Sequence, residues 1–488
     1  YLLEINGRYD GSSRFPHNAH WAFFPSVSLG YRFSEEPYFK NLKDVVSNGK
    51  LRASFGEIGN EAVGEYMFEE LITQLDEKKV YWVDNNKENA NLLTMYNMPN
   101  LVASSLTWER IRTTDIGIDL GFLNNELMVG FDWYQRENRD MLAPSKVLPQ
   151  VLGADAPVSN AGTLRTRGWE FTVDWHHRFG DFNVYANFNL SDSRTKVTKW
   201  DNPSMLLNTN YSGKTYGDIW GFETDRYFEE SDFTGKNPDG TWNYAAGIAS
   251  QKGLEQGSFH YGPGDVKYKD LDGSGVIDGG KGTANNHGDL KVIGNFLPRY
   301  EYSFHLGGTW KGIDLDLFFQ GVGKRDSWTV SSMNFPLMRD ADLALYAHQT
   351  SYNKVNFTAD YKTITGYEIN QNNKYPRLFP GNDPKGTISG IDNGTNNYYP
   401  QTRYLTDMSY LRLKNVTLGY TLPAELTRKA YIQKARIYFS ASNLFLLHKG
   451  NDLPVDPEIS TGAGLAYGGW GRTAPITRTF SFGMQVTL

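Results

Sequence analysis

Residues 183–190 read NVYANFNL. Val184, Ala186, Phe188 and Leu190 alternate with Asn183, Tyr185, Asn187 and Asn189, and period two puts the two sets on opposite faces of a strand. The split recurs along the chain. Leu127, Val129, Phe131 and Trp133 form one apolar face, Trp169, Phe171, Val173 and Trp175 another, then Phe304, Leu306 and Trp310, then Ile313, Leu315, Leu317 and Phe319, and none of these faces carries a charge. The expected class is all-β.

A soluble sandwich shows the same alternation on its core face, so connection lengths must separate sandwich from membrane barrel. The alternation predicts strands near 1–9, 23–33, 50–57, 106–122, 126–138, 166–178, 182–197, 299–310, 313–322, 409–421, 435–446 and 478–488. Tight turns are expected at Asn124 and Asn125, at Phe179 to Asp181 and at Lys311 and Gly312, each between strong strands. Long polar loops are expected at about 57–105, 139–165, 198–298, 323–408 and 447–477. Short turns on one rim and long loops on the other describe a transmembrane antiparallel β-barrel with short periplasmic turns and long extracellular loops, whereas a sandwich has no reason to sort its loops this way.

Composition agrees with strands and turns: aromatic residues make up 14% of the 488, hydrophobic ones only 39%, and there are 49 glycines. A formal charge of -6 with scattered basic residues gives a nucleic-acid partner no electrostatic support. The absence of cysteine excludes disulfides, thiol catalysis and Cys-based metal sites. No uncharged apolar run of about 18 residues is present, which argues against a spanning helix and says nothing of a barrel. The opening YLLEINGRYDGSSRF is already mid-strand in character and reads as part of a mature fragment whose N-terminal portion is absent.

Several stretches resemble the SusC/RagA-like TonB-dependent outer-membrane transporters of Bacteroidetes. They include FPSVSLGYRFSEE at 24–36, KLRASFGEIGN at 50–60, LTWERIRTTDIGIDLGFLNNEL at 106–127 and NAGTLRTRGWEFTVDW at 160–175. Further on come GDVKYKDLDGSGVID at 264–278, VIGNFLPRYEYSF at 292–304, SYLRLKNVTLGYTLP at 409–423, ARIYFSASNLFLL at 435–447 and DPE at 456–458. The resemblance implies that residues 1–488 are the C-terminal part of a barrel of roughly 22 strands, contributing about a dozen, with the plug and TonB box lying in an absent N-terminal part. It implies the outer membrane of a bacterial cell, contact with outer-membrane lipid, a SusD-like surface lipoprotein as lid, TonB as energy source and an oligosaccharide or oligopeptide as cargo. A surface carbohydrate-binding or adhesive β-protein is the alternative.

Asp270, Asp272, Ser274, Gly275, Val276 and Asp278 fit positions 1, 3, 5, 6, 7 and 9 of an EF-hand loop, with Val276 offering its carbonyl. Position 12 is Lys281 instead of a bidentate Glu, and the flanks read as strand and coil, which excludes a switching helix pair. Two readings stand: a divalent ion such as Ca²⁺ held by Asp270, Asp272, Ser274, Val276 and Asp278 and completed by Asp289 after an insertion, or metal-free Asx turns. No other cofactor is called for. No G-x-S-x-G, H-E-x-x-H or P-loop motif occurs, so no catalytic residues are assigned and an enzyme is not expected. Loop aromatics such as Trp220, Trp242, Trp328, Tyr398, Tyr399 and Trp470 can stack on sugars, but packing within the loops or contact with the lid protein is favoured for each.

Overall fold

The computed structural model describes residues 1–65, 67–72, 74, 96, 101–102, 106–144, 157–256, 259–328, 351–360, 364–377, 395–459 and 475–488. In the first part of the chain the strands are β1 (Leu2–Gly11), β2 (Trp21–Tyr31), β3 (Val46–Asn60), β4 (Glu109–Phe122), β5 (Leu127–Pro144), β6 (Val158–Phe179) and β7 (Phe182–Lys199). Short strands follow: β8 (Asp218–Phe222), β9 (Thr224–Tyr227), β10 (Phe233–Lys236), β11 (Trp242–Tyr244), β12 (Val266–Tyr268) and β13 (Leu290–Asn295). The remainder are β14 (Arg299–Trp310), β15 (Ile313–Lys324), β16 (Asp326–Ser327), β17 (Lys354–Phe357), β18 (Ile364–Glu368), β19 (Thr406–Asp407), β20 (Tyr410–Thr421), β21 (Lys434–Lys449) and β22 (Thr479–Thr487).

The twelve strands expected from alternation are the twelve of one antiparallel sheet, in the order β1-β2-β3-β4-β5-β6-β7-β14-β15-β20-β21-β22. Neighbours in sequence are neighbours in the sheet apart from excursions into the loops. Several strands outrun their apolar stretches: β5 continues to Pro144 and β6 begins at Val158, so part of the loop expected at 139–165 is strand. The anticipated turns carry the positive backbone φ that tight hairpins need: Asn124 at 55°, Asn125 at 68°, Gly180 at 60°, Lys311 at 46° and Gly312 at 89°. Among the described residues no helix is long and apolar enough to cross a membrane.

The chain divides into two compact units, residues 1–171 with 193–205 and 209–216, and residues 172–192 with 206–208 and 217–488. In the first, directly opposed residues sort the sheet into an apolar and a polar face. Leu3, Leu29, Ala53, Ile116 and Trp133 lie in one row across β1 to β5. One residue along, Glu4, Ser28, Ser54, Asp115 and Tyr134 form a row on the other face. On that polar face Arg52 Nε donates to Asp119 at 2.8 Å and its Nη2 to Asp132 at 2.9 Å. Phe15, Ala22, Phe24, Val63, Leu106 and Trp108 make a small core at the long-loop end.

The second unit repeats the division. Ala186, Leu306, Leu317, Val416, Ala441 and Phe480 share a row, and so do Tyr185, Gly307, Asp316, Thr417, Ser440 and Ser481 on the opposite face. Leu418, Phe482 and Met484 remain exposed at 49%, 85% and 69%, a cost in water but a favourable contact in lipid. The main buried apolar core lies elsewhere in this unit, among the segments that join β7 to β14 and β15 to β20.

Candidate functional site

Those two segments, expected as long polar loops, fold into a small aromatic domain. Two-stranded pairs brace it: β8 with β13, β9 with β12, β10 with β11, β16 with β19 and β17 with β18. Its core holds Phe222, Tyr227, Phe228, Phe259, Tyr261, Val266, Tyr268, Ile277, Tyr375 and Tyr404. Phe222 stacks on Tyr268 with centroids 4.9 Å apart, and the Arg403 guanidinium lies 4.3 Å above the Tyr227 ring. Burial of each large side chain removes apolar surface worth about 1.5–3 kcal/mol. Burial also drives the Tyr261, Tyr268 and Tyr404 hydroxyls well above their ordinary pKa, so they stay neutral.

Polar groups tie distant parts of the domain together. Asp265, fully buried, accepts bonds from Arg377 Nε at 2.9 Å, Arg377 Nη2 at 2.7 Å, Asn397 Nδ2 at 2.9 Å and the Gly262 N–H at 2.8 Å. Asn397 Oδ1 in turn accepts from the Val266 N–H at 2.8 Å. Asp232 receives Arg226 through two bonds of 2.7 Å and the Glu229 N–H at 2.8 Å. Burial pushes its carboxyl up, but the Arg226 and Glu229 bonds outweigh this and leave its pKa below the ordinary value.

The acidic loop is seated on this core by Ile277, which is fully buried. Ser250 N–H donates to Gly275 O at 2.9 Å and Ile277 N–H to Ser250 O at 2.8 Å, which pins the loop to the segment before β12. Gly275 takes φ +77°, the turn expected at position 6. Asp270 Oδ1 accepts from Gly273 N–H at 2.7 Å and Asp270 Oδ2 from Gly275 N–H at 2.8 Å, while Asp272 Oδ1 accepts from Ser274 N–H at 2.9 Å. The Ser274 hydroxyl and N–H hold the Asp272 carboxyl below its usual range.

Asp289 proves the structural partner of this loop. It is buried, and its two oxygens accept the Leu271 N–H at 2.6 Å and the Asp278 N–H at 3.0 Å. Asp270, Asp272 and Asp289 each bring a carboxylate oxygen within 4.8 Å of the others. Asp278 is not in that group and caps the Gly280 N–H at 2.7 Å, and the Val276 carbonyl accepts the Ser274 hydroxyl at 2.8 Å. An all-oxygen set with three carboxylates fits a hard cation such as Ca²⁺. The same oxygens already serve the backbone as Asx caps.

Trp242, Trp328, Tyr398 and Tyr399 pack against the aromatic core. Trp220 lies with its ring 5.3 Å from His287, and Trp470 falls outside the described residues. A feature not anticipated from sequence is a cleft of about 680 Å³ lined by Asn372, Lys374, Arg403, Asp407, Asn451 and Asp452 among others. Lys374 Nζ donates to both Asp452 oxygens at 2.9 and 3.0 Å, and this pairing holds the Asp452 carboxyl below its usual pKa. Its polar residues come from three segments without periodicity, so no local pattern marks them. Beside it, the DPE stretch anchors the chain to β20, where Asp456 pairs with Arg412, and Glu458 with Arg412 and Lys414.

Residues 1–373 match the family model described as TonB dependent receptor-like, beta-barrel. The chain belongs to that family. The twelve-stranded sheet of this TonB-dependent receptor is therefore outer-membrane wall, its apolar face turned to lipid, its short turns periplasmic and its long loops extracellular. The chain is similar to TonB-dependent receptor P3 of Formosa agariphila, 28% identical over 513 residues, covering 100% of this chain and 44% of that protein. It is also similar to TonB-dependent receptor SusC of Bacteroides thetaiotaomicron, 25% identical over 475 residues, with 95% and 40% covered. The structure of the RagAB peptide transporter superposes with a TM-score of 0.67 at 21% identity over 99% of this chain and 45% of that one, a likeness of fold. The chain spans less than half the length of these relatives.

Proposed function

We propose that this TonB-dependent receptor chain forms the C-terminal part of the barrel of an importer that takes up an oligosaccharide or oligopeptide across the outer membrane, powered by TonB and served by a SusD-like lipoprotein lid. The observation that carries the reading is the folded extracellular domain built from the β7–β14 and β15–β20 segments, with its polar cleft. A passive pore needs no such structure, whereas a receptor that captures a large polar cargo and docks a lid needs a rigid extracellular surface. The similarity to TonB-dependent receptor SusC supports TonB-powered uptake, and the likeness in fold to the RagAB peptide transporter supports a peptide among the cargo classes.

The acidic loop fits this role as a clip. It holds the turn before β13 against the aromatic core, and we propose that Ca²⁺ coordinated by Asp270, Asp272 and Asp289 tightens it. The test of the main reading is affinity purification of the full protein from its native outer membrane, followed by mass spectrometry of what accompanies it. The reading expects a surface lipoprotein and a bound glycan or peptide; purification of the chain alone, without cargo, from cells in which both are abundant would count against it.

A further inference from the structure

Row by row up β3, β4 and β5, the lipid-facing side changes character. Leu51, Ile118 and Phe131 lie opposite one another, then Ala53, Ile116 and Trp133, then Phe55, Thr114 and Gln135. The next row is Glu57, Arg112 and Glu137, and the one after it Gly59, Arg110 and Arg139. Both ladders run unbroken through these rows, so alternation keeps all of these side chains on the lipid side. β6 extends the pattern. Trp169 stacks on Phe131 at 6.4 Å, Arg167 Nε donates to Gln135 at 2.8 Å, and Arg165 Nε donates to Glu137 at 2.6 Å.

Five guanidiniums and two carboxylates thus share one outward patch, leaving it strongly positive. The acids lie beneath the bases: Glu57 and Glu137 side chains are 8% and 6% exposed, while Arg110, Arg112, Arg139 and Arg165 are 36–39% exposed. Glu57 orients Arg110 and Arg112, and Glu137 orients Arg139 and Arg165. Arg110 and Arg139 face each other directly across the ladder. Each glutamate is shared between two arginines and Arg167 rests on the neutral Gln135, so the patch keeps an excess of positive charge that an anion between the heads would balance.

Height identifies the anion. Two residues climb about 6–7 Å along a strand, so the Arg112 row stands roughly 13 Å along the strand beyond Trp133. At a tilt of about 40° this is roughly 10 Å higher, above the aromatic edge of the hydrocarbon and on the long-loop, extracellular side. Charges are tolerated on a lipid face near the interface and not at its centre. Arginine forks match phosphate oxygens bidentately.

We propose that Arg110, Arg112, Arg139, Arg165 and Arg167 form a binding site for the phosphate groups of the anionic glycolipid of the outer leaflet, the lipid A part of lipopolysaccharide. The site depends on the outer-membrane placement of the wall and not on the cargo or on transport.

The test measures lipid A retained by the protein after extraction from outer membranes in mild detergent and washing, by mass spectrometry, and its rebinding after delipidation. Each arginine at an anionic surface contributes about fivefold in affinity. R110Q/R139Q is expected to lower retention roughly 25-fold, while R8Q/R136Q, the same charge change on the opposite face, retains as much as the wild type. Lipid A stripped of phosphate is expected not to rebind. Equal retention by wild type and R110Q/R139Q, or equal rebinding of phosphorylated and dephosphorylated lipid A, overturns the proposal. Should the double variant fail to insert, R167Q reads the same effect at about fivefold, and wild-type retention by R167Q overturns it equally.

Discussion

Replacing Arg377 by Met removes the cation from a carboxylate that has no water to turn to. Asp265 is fully buried, and two of its four bonds come from Arg377. Breaking a buried pair from one side costs about 3–5 kcal/mol, because the remaining charge stays desolvated. The bond from Arg377 Nη2 to His260 O at 2.9 Å is lost as well. If the extracellular segments are a cooperatively folded domain, their opened fraction rises a hundred- to several-thousandfold. Protease cleavage of the intact membrane protein reports that fraction when opening and closing are fast. R377M is expected to be cut rapidly between β7 and β14 and between β15 and β20, with the wall strands still resistant. D265N/R377M, which removes the stranded charge, is expected to recover part of the resistance. Cleavage of R377M within twofold of the wild type, at unchanged sites, would refute the claim that this pair holds a folded domain.

Three further outcomes follow from the same geometry. In D289A the Leu271 and Asp278 N–H groups lose their acceptor, about 1–3 kcal/mol each, so protease sensitivity between 270 and 290 should rise; in the wild type Ca²⁺ should lower that sensitivity and D270N/D272N should abolish the Ca²⁺ effect. Asp232 has a folded pKa below its unfolded value of about 3.9, so its contribution is complete above that value and is lost as pH falls through the folded pKa; proteolysis of the loop domain followed below pH 4 should show a steeper acid loss in the wild type than in D232N. F131R places a charge on the lipid side of β5, which should destabilise the wall by up to about 2–4 kcal/mol in a refolding titration into bilayers, whereas a polar-face change such as S54R should not carry that lipid penalty.

The wall was legible because a strand between lipid and a polar interior must alternate, and Leu315, Leu317 and their neighbours say so residue by residue. Strand ends were less legible. Above the hydrocarbon the outward side no longer needs apolar residues, so Arg139 and Arg165 look like loop in the sequence while β5 and β6 continue through them. The loop domain was hidden for a different reason: its order comes from partners far apart, such as Val266 with Asn397 and Tyr227 with Gln371. Its aromatics follow neither period. In the acidic loop the spacing made the turn at Gly275 legible, and Asp270, Asp272 and Asp289 there cap backbone N–H groups. That Asp278 caps Gly280 depends on a local backbone turn that spacing does not encode.

The decisive measurement is of energy coupling. Uptake of the cargo recovered with the purified protein should be measured in cells with and without TonB, the receptor being present at equal levels in the outer membrane. Surface binding should persist and entry should stop when TonB is removed. Entry at an unchanged rate without TonB would contradict import powered by TonB.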